Sequence, residues 1–230
     1  MPSELHVHYR YLLAWARRGG RALDFGCGDG LVVRTGRAEG LDLHGADVKP
    51  GPGMAEIRDG RLPFPDAHFD LVLSNQVFEH VERLEAAVDE LHRVLKPDGR
   101  LLALFPTREV LREAHCGVPL LHRLPRSWPR VAYAALFHPI GFSFDKGAKP
   151  AARWAAEAVE WMDRHVFYRR RADILRALGR RFHVTPYEEH YLAFRFPRWA
   201  PLLRIPWARE GGRLLCRRLN GVVLLGRRRL

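Results

Sequence analysis

Residues 21–30 read Arg-Ala-Leu-Asp-Phe-Gly-Cys-Gly-Asp-Gly, and they leave few folds open. Ala22, Leu23 and Phe25 form an apolar run with the character of a short buried strand. Gly26, Gly28 and Gly30 then arrive at every second position. Glycine lets the backbone turn sharply and come within van der Waals range of a ligand. Such a turn, opening onto a helix, presents unpaired N–H groups and a positive dipole end to a polar or anionic ligand. A second strand-like run, residues 41–47, ends in Asp47, 23 residues beyond Asp24. In a βαβ nucleotide-binding unit an acid at about that distance sits at the next strand end and accepts hydrogen bonds from ribose hydroxyls. The spacing fits a nucleoside-containing cofactor. The glycine order, G-x-G-x-G and not G-x-G-x-x-G, points away from a nicotinamide or flavin dinucleotide.

Three further blocks follow in order. Residues 62–72 read Leu-Pro-Phe-Pro-Asp-Ala-His-Phe-Asp-Leu-Val, residues 78–81 Phe-Glu-His-Val, and residues 93–100 Arg-Val-Leu-Lys-Pro-Asp-Gly-Arg. Together with Leu23–Gly30, this set resembles the motifs of class I S-adenosylmethionine-dependent methyltransferases: motif I, the "LPFPDxxFDxV" segment, "LEHV" and "RVLKPGG". The resemblance covers roughly residues 20–105. It implies a doubly wound α/β fold, with a mostly parallel, seven-stranded Rossmann-like sheet closed by an antiparallel strand. It also implies S-adenosyl-L-methionine as cofactor. Asp47, with Val48 beside it, would hold the ribose hydroxyls. Asp24 and the turn Gly26, Cys27, Gly28, Gly30 would shape the methionine site. Asp59, Gly60 and Leu62 would flank adenine, with Asp59-Gly60 also readable as a plain turn. Asn75 and Gln76, closing the fourth strand, lie at the carboxyl edge where ligands of open α/β sheets bind.

Around these motifs the pattern predicts an amphipathic helix over 5–18, stopped by Gly19-Gly20. Tyr9 and Tyr11 on it are read either as core aromatics or as ligand contacts. A short crossover helix follows Gly30. Residues 69–75 form a near-continuously apolar fourth strand, as expected when both faces are covered. A helix over 81–96 is terminated by Pro97-Asp98-Gly99, and a fifth strand spans 101–105. Further helices are predicted over 150–167 and 172–182, and strands over 182–185 and 221–226. The whole reads as a single domain over 1–230: a core of 5–106 and 171–230, a helical cap of about 107–170, and a basic aromatic insertion of about 187–219.

Methyl transfer from a sulfonium is an in-line displacement, so alignment and desolvation carry much of it and no fixed triad is expected. An oxygen or nitrogen acceptor that must lose a proton needs a base. His80, at the cofactor edge, is the first candidate and His115, in the proline-rich lid, the reserve. Two other roles for Glu79-His80 stay open. One is structural, capping the next helix and lining the pocket. The other is metal binding, because ubiquinone-pathway O-methyltransferases carry a similar E-x-x-E-H run that holds a divalent cation. The run here begins with Gln76 in place of the first acid. His115, Cys116 and His122 lack a fourth ligand at zinc-type spacing. No metal site is assigned on sequence.

Charge divides the chain. Residues 1–105 carry −3 and residues 106–230 carry +15 of the net +12. Such asymmetry suits an anionic partner. The acceptor is therefore read as a small molecule, an envelope saccharide or a lipid-linked compound, anionic in character. In 187–219, Phe194-Arg195-Phe196-Pro197-Arg198-Trp199 and Leu202-Leu203-Arg204-Ile205-Pro206-Trp207 place rings beside arginines. That composition suits peripheral contact with a membrane, base stacking, or a packed subdomain whose arginines reach solvent. A nucleic-acid methyltransferase is disfavoured, since Ser74-Asn75-Gln76-Val77 is not an Asn/Asp-Pro-Pro-Tyr-like motif for a flipped base. A non-catalytic cofactor binder is a further alternative. Met1-Pro2-Ser3-Glu4 lack the basic and apolar regions of a signal peptide. Cys27, Cys116 and Cys216 are widely spaced and odd in number, which suits a reducing cytoplasm. The expected location is cytoplasmic, peripheral at the inner face of the membrane.

Overall fold

The structure, a computed structural model, describes residues 5–17, 20–141, 143–144 and 147–229. The tetrapeptide Met1–Glu4 and Gly19, to which the sequence pattern assigns roles, lie outside the described residues.

Apolar runs in the first half become parallel strands β1 (Ala22–Phe25), β2 (Leu43–Asp47), β3 (Ala55–Glu56), β4 (Phe69–Asn75) and β5 (Leu95–Phe105). Two later strands, β6 (Phe182–Pro186) and β7 (Val222–Arg228), complete a seven-stranded sheet in the order β3-β2-β1-β4-β5-β7-β6. β7 runs antiparallel to both β5 and β6. The expected fold class is the one observed.

The period-2 alternation of strand side chains splits the core in two. Leu23, Phe25, Val72, Leu101, Ala103 and Phe105 meet helices α3 (Leu84–Val94) and α6 (Arg171–Gly179) on one face. Leu71, Leu73, Leu102 and Leu104 meet α1 (Val7–Ala16) and α2 (Leu31–Ala38) on the other. Helices α7 (Glu188–Arg195) and α8 (Pro206–Leu219) share this second face, through Tyr191, Leu192 and Cys216. Tyr11 is buried there against Tyr191, edge-to-face with ring centroids 5.3 Å apart. It is part of the core. Arg213 and Arg217 of α8 pair with Glu189 and Glu188 of α7 at 2.6 and 2.7 Å. Trp207, Leu202, Leu214, Leu215 and Leu219 nevertheless remain exposed, Trp207 by 74%.

The sequence expectation fails in several places: α6 stops at Gly179, short of 182, and helices α7 and α8 fill the 187–219 stretch. Helix α3 stops at Val94 and β5 begins at once, with Leu95 paired to Phe69 and the register then slipping so that Arg100 faces Leu71. Lys96 precedes Pro97 and is sterically driven out of the helical region. Its ammonium then reaches Asp70 at 2.8 Å. Helix α4 (Trp128–Phe137) is likewise unforeseen within the proline-rich lid, with Pro129 in its first turn. It packs on α5 (Ala151–His165), and Val118, Leu121, Ala134, Trp154, Val159 and Met162 give the cap a small core of its own. Arg130, buried on α4, pairs with Asp163 of α5.

Candidate active site

β1 leads straight into the glycine turn. Gly26, Gly28 and Gly30 all take positive φ, at 77°, 53° and 81°. A Cβ on Gly26 would lie 2.2 Å from Val77 Cγ2, and one on Gly30 2.8 Å from Met54 Cε. At Gly28 a Cβ would meet nothing within 4 Å. Gly26 is therefore required by packing against Val77, Gly30 by its left-handed backbone with only the flexible Met54 side chain beside it, and the middle one faces open space. Asp47, at the end of β2, accepts the Gly28 N–H at 2.9 Å on Oδ2 and the Lys49 N–H at 2.9 Å on Oδ1. Each oxygen keeps a second lone pair for a ligand hydroxyl. Beneath the turn, Asp24 is 4% exposed. Burial, reinforced by the charge of Asp47, pushes its carboxyl up to about 7. Burial likewise pushes the Cys27 thiol up to about 12, which leaves it unreactive.

A cleft of about 830 Å³ opens beside the turn, lined by Gly26, Asp47, Val48, Asp59, Gly60, Gln76 and His80 among others. Asp59 and Gly60 have φ of 51° and 78°. Arg58 and Arg61 exchange backbone hydrogen bonds around them, so the pair is a type I′-like turn whose tip faces the cleft. Gln76 follows β4 with φ 57° and donates its N–H to the Leu104 carbonyl at 2.8 Å. Asn75 ends β4, and His8 of α1 comes up beside it, its imidazole pushed down to about 4 by burial. Leu62 does not line the cleft: it is buried in the core, with its N–H on Glu90 Oε1 at 2.7 Å. Asp24 and Cys27 sit behind the turn, outside the lining.

The segment after β4 carries the second group of residues. His80 lies there, and its Nδ1 meets the His165 carbonyl at 2.7 Å. A carbonyl only accepts, so Nδ1 carries the proton and Nε2 bears the lone pair. That Nε2 lies 3.2 Å from Nε2 of His115, which arrives from the cap. His115 Nδ1 meets Glu113 Oε1 at 2.8 Å. Burial works against the Glu113 charge, yet hydrogen bonds from His115, the Cys116 amide and Tyr168 hold its carboxyl down at about 2. It is an acceptor, so His115 also presents a bare Nε2 toward His80. Glu79 is 2% exposed, and neither of its oxygens meets a partner among the described residues beyond its own amide. Burial pushes its carboxyl up to about 8. His80, which burial pulls below the ordinary imidazole value, faces the cofactor-side cleft. His115 faces a cap cavity of about 1130 Å³ lined by Phe144, Trp154, Trp161 and Met162. The histidine pair thus stands between the two chambers.

Sequence reasoning singled out both histidines but missed Glu113, Tyr168 and Trp161, which orient them, and His8. Glu113 stands two residues before His115, a spacing that offered a usable signal. Tyr168 and Trp161 reach the site only through the tertiary fold.

A family profile described as "Methyltransferase domain" matches residues 2–181. A malonyl-[acyl-carrier protein] O-methyltransferase of Enterobacter lignolyticus is 36% identical over 98 residues, covering 37% of this chain and 39% of the relative. The ubiquinone/menaquinone biosynthesis C-methyltransferase UbiE of Pseudomonas fluorescens is 36% identical over 159 residues, covering 55% and 62%. The matches thus span less than two thirds of either relative's length. A solved S-adenosylmethionine-dependent methyltransferase from Mesorhizobium loti superposes over 97% of this chain and 98% of its own, with a TM-score of 0.53 and 20% identity. That likeness is one of fold.

Proposed function

The chain belongs to the class I S-adenosylmethionine-dependent methyltransferases, and on that premise we propose that it moves a methyl group to an oxygen or nitrogen, less readily a carbon, of a small-molecule, envelope-saccharide or lipid-linked acceptor. The observation that carries this reading is Asp47, fixed at the end of β2 by the Gly28 amide and open to the cleft. Asp47 would accept the ribose hydroxyls, the Asp59–Gly60 turn and Val48 would flank the base, and the glycine turn over Asp24 would receive the methionine portion. When bound, the cofactor supplies an electrophilic methyl on a sulfonium. The protein's part is to align an acceptor lone pair with it and exclude water.

The acceptor would enter from the cap cavity, whose Trp154, Trp161, Phe144 and Met162 suit an apolar or ring-bearing portion. The acceptor atom gives up its proton at the wall between the chambers. The Nε2 atoms of His80 and His115, 3.2 Å apart, both stand at that wall, so either can take the proton. The general-base role proposed for His80 therefore passes to the pair. The two relatives are named for a carrier-linked malonyl group and for a quinone-pathway carbon. Those names favour a carrier- or lipid-linked acceptor for this chain. The exposed aromatic and aliphatic side chains of 196–219, among arginines, favour collection of that acceptor at an anionic membrane surface, and with it a cytoplasmic, peripheral location.

Calorimetric titration with S-adenosylmethionine and, separately, NADH tests the reading. Micromolar binding of the first alone is expected, weakened at least ten-fold in Asp47→Ala. Absence of S-adenosylmethionine binding would remove the proposal. Radiolabelled methyl transfer into lipid, saccharide and RNA fractions then sorts the acceptor, label in RNA overturning the proposed acceptor class.

A further inference from the structure

We propose that Glu79, His80 and His115 form a binding site for one divalent first-row transition ion, pinned between the sheet edge and the cap. One ligand atom from each residue lies within 4.8 Å of the other two. The two Nε2 atoms are 3.2 Å apart. Two imidazole nitrogens about 2.1 Å from a common ion, at an angle of about 90–110°, are about 3.0–3.4 Å from each other. The observed separation is that of two ligands on one ion.

The surroundings prepare the same arrangement. Each imidazole has its far nitrogen tied, His80 to a backbone carbonyl and His115 to the Glu113 carboxylate, so both turn a lone pair toward the same point. A carboxylate or carbonyl behind a ligating histidine fixes ring orientation and raises ligand basicity. Glu113 is itself held by the Tyr168 hydroxyl at 2.7 Å. Without a cation or a shared proton, the two lone pairs would repel across 3.2 Å.

Glu79 supplies an independent observation. A buried carboxylate with both oxygens lacking an outside partner is costly unless something positive meets it. Among the described residues no arginine or lysine is paired to it, whereas the two histidine nitrogens are within reach. A small rotation of that carboxylate closes the third ligand onto the ion. Two imidazoles and one carboxylate select Zn²⁺, Co²⁺, Mn²⁺ or Fe²⁺ over Mg²⁺ and Ca²⁺, which prefer all-oxygen shells. The ion takes the place of a proton on the pair. Its open positions point along the wall between the cleft and the cap cavity, where an acceptor oxygen would bind, its pKa lowered by coordination and its proton released to solvent water, the two Nε2 atoms then acting as ligands in place of the base. That last role rests on the methyltransferase reading; the binding itself does not.

The test uses the full chain, stripped with chelator and dialysed. Co²⁺ is added and followed by its visible d–d absorption, Zn²⁺ and Mg²⁺ by calorimetry. One equivalent of Co²⁺ or Zn²⁺ is expected to bind with micromolar affinity or better, and Mg²⁺ at least 100-fold more weakly. Glu79→Gln and His115→Ala should each weaken Zn²⁺ by ten-fold or more, and Glu113→Gln, which only orients His115, by less. Metal-free melting curves of the three variants establish that each is folded. Zn²⁺ should also raise the melting temperature of the parent but not of His115→Ala, because His115 is the one proposed ligand that the cap contributes. Equal Zn²⁺ affinity in parent and variants, or no stoichiometric Co²⁺ spectrum in the parent, overturns the proposal. Metal binding without S-adenosylmethionine binding would leave this site standing and remove the functional reading alone.

Discussion

Asp24 carries a penalty that a ligand can relieve. Its carboxyl is buried behind the glycine turn and titrates at about 7, where an unfolded chain would titrate near 3.8. A carboxyl raised on folding stabilises the folded state only while protonated, so the contribution is complete below about pH 4 and is lost as pH rises through about 7. The ceiling on that loss is about 4 kcal/mol. The ligand-free melting temperature should therefore fall between about pH 4 and pH 7, and Asp24→Asn should flatten the curve. A cationic sulfonium or amino group beside Asp24 favours the ionised form. S-adenosylmethionine should bind up to about ten-fold more tightly at pH 8 than at pH 6, releasing a proton at the lower pH. Calorimetry in two buffers of different ionisation enthalpy measures both effects. A pH-independent affinity in the parent would show that Asp24 does not face the cofactor's charge.

At the level of elements, the loop after β4 is held by a residue from far along the chain. Arg169 donates to the carbonyls of Val81 and Glu82 at 2.7 and 2.6 Å, and more weakly to that of Phe78. The Phe167 amide adds a bond to the Glu79 carbonyl at 2.6 Å. The bonds from the guanidinium tie the loop bearing His80 to the segment between cap and α6. Arg169→Ala should cost about 2–3 kcal/mol and raise amide exchange across residues 77–82, with the glycine turn unaffected; an unchanged exchange pattern would mean the loop is held by other contacts. This staple shows where sequence reading stops. The strands and the glycine turn were legible because their signals are local: apolar runs, glycines, an acid at a fixed distance. Helix α4 was not, because Pro129 and its neighbouring prolines read as loop punctuation, although a proline is well placed in a first helical turn. The pairing of His80 with His115, 35 residues apart, depends on how the cap folds back, and nothing in either local segment encodes it.

Across the whole molecule, charge and exposed apolar surface accumulate on the same half of the chain. Residues 106–230 hold the +15 excess, and Trp207, Leu202, Ile205, Leu214 and Leu219 stand exposed on or near α8. No helix among the described residues is long and apolar enough to cross a membrane, so contact would be interfacial. Co-sedimentation should show binding to vesicles containing anionic lipid and none to neutral ones, reduced by salt and at least five-fold weaker in Trp207→Ala with Leu214→Ala. Equal partitioning onto neutral vesicles would discard the electrostatic part of that reading. The order of the strands has a different outcome. β7, last of the strands in the chain, lies inside the sheet and bridges β5 to β6. During synthesis the earlier strands can assemble as they emerge, but β6 has no neighbour to pair with until β7 has left the ribosome. Both chambers are therefore roofed and walled before the sheet is whole, and a ribosome stalled short of residue 222 would display a nascent chain with an unprotected β5 edge, open to proteases and to pairing with other chains.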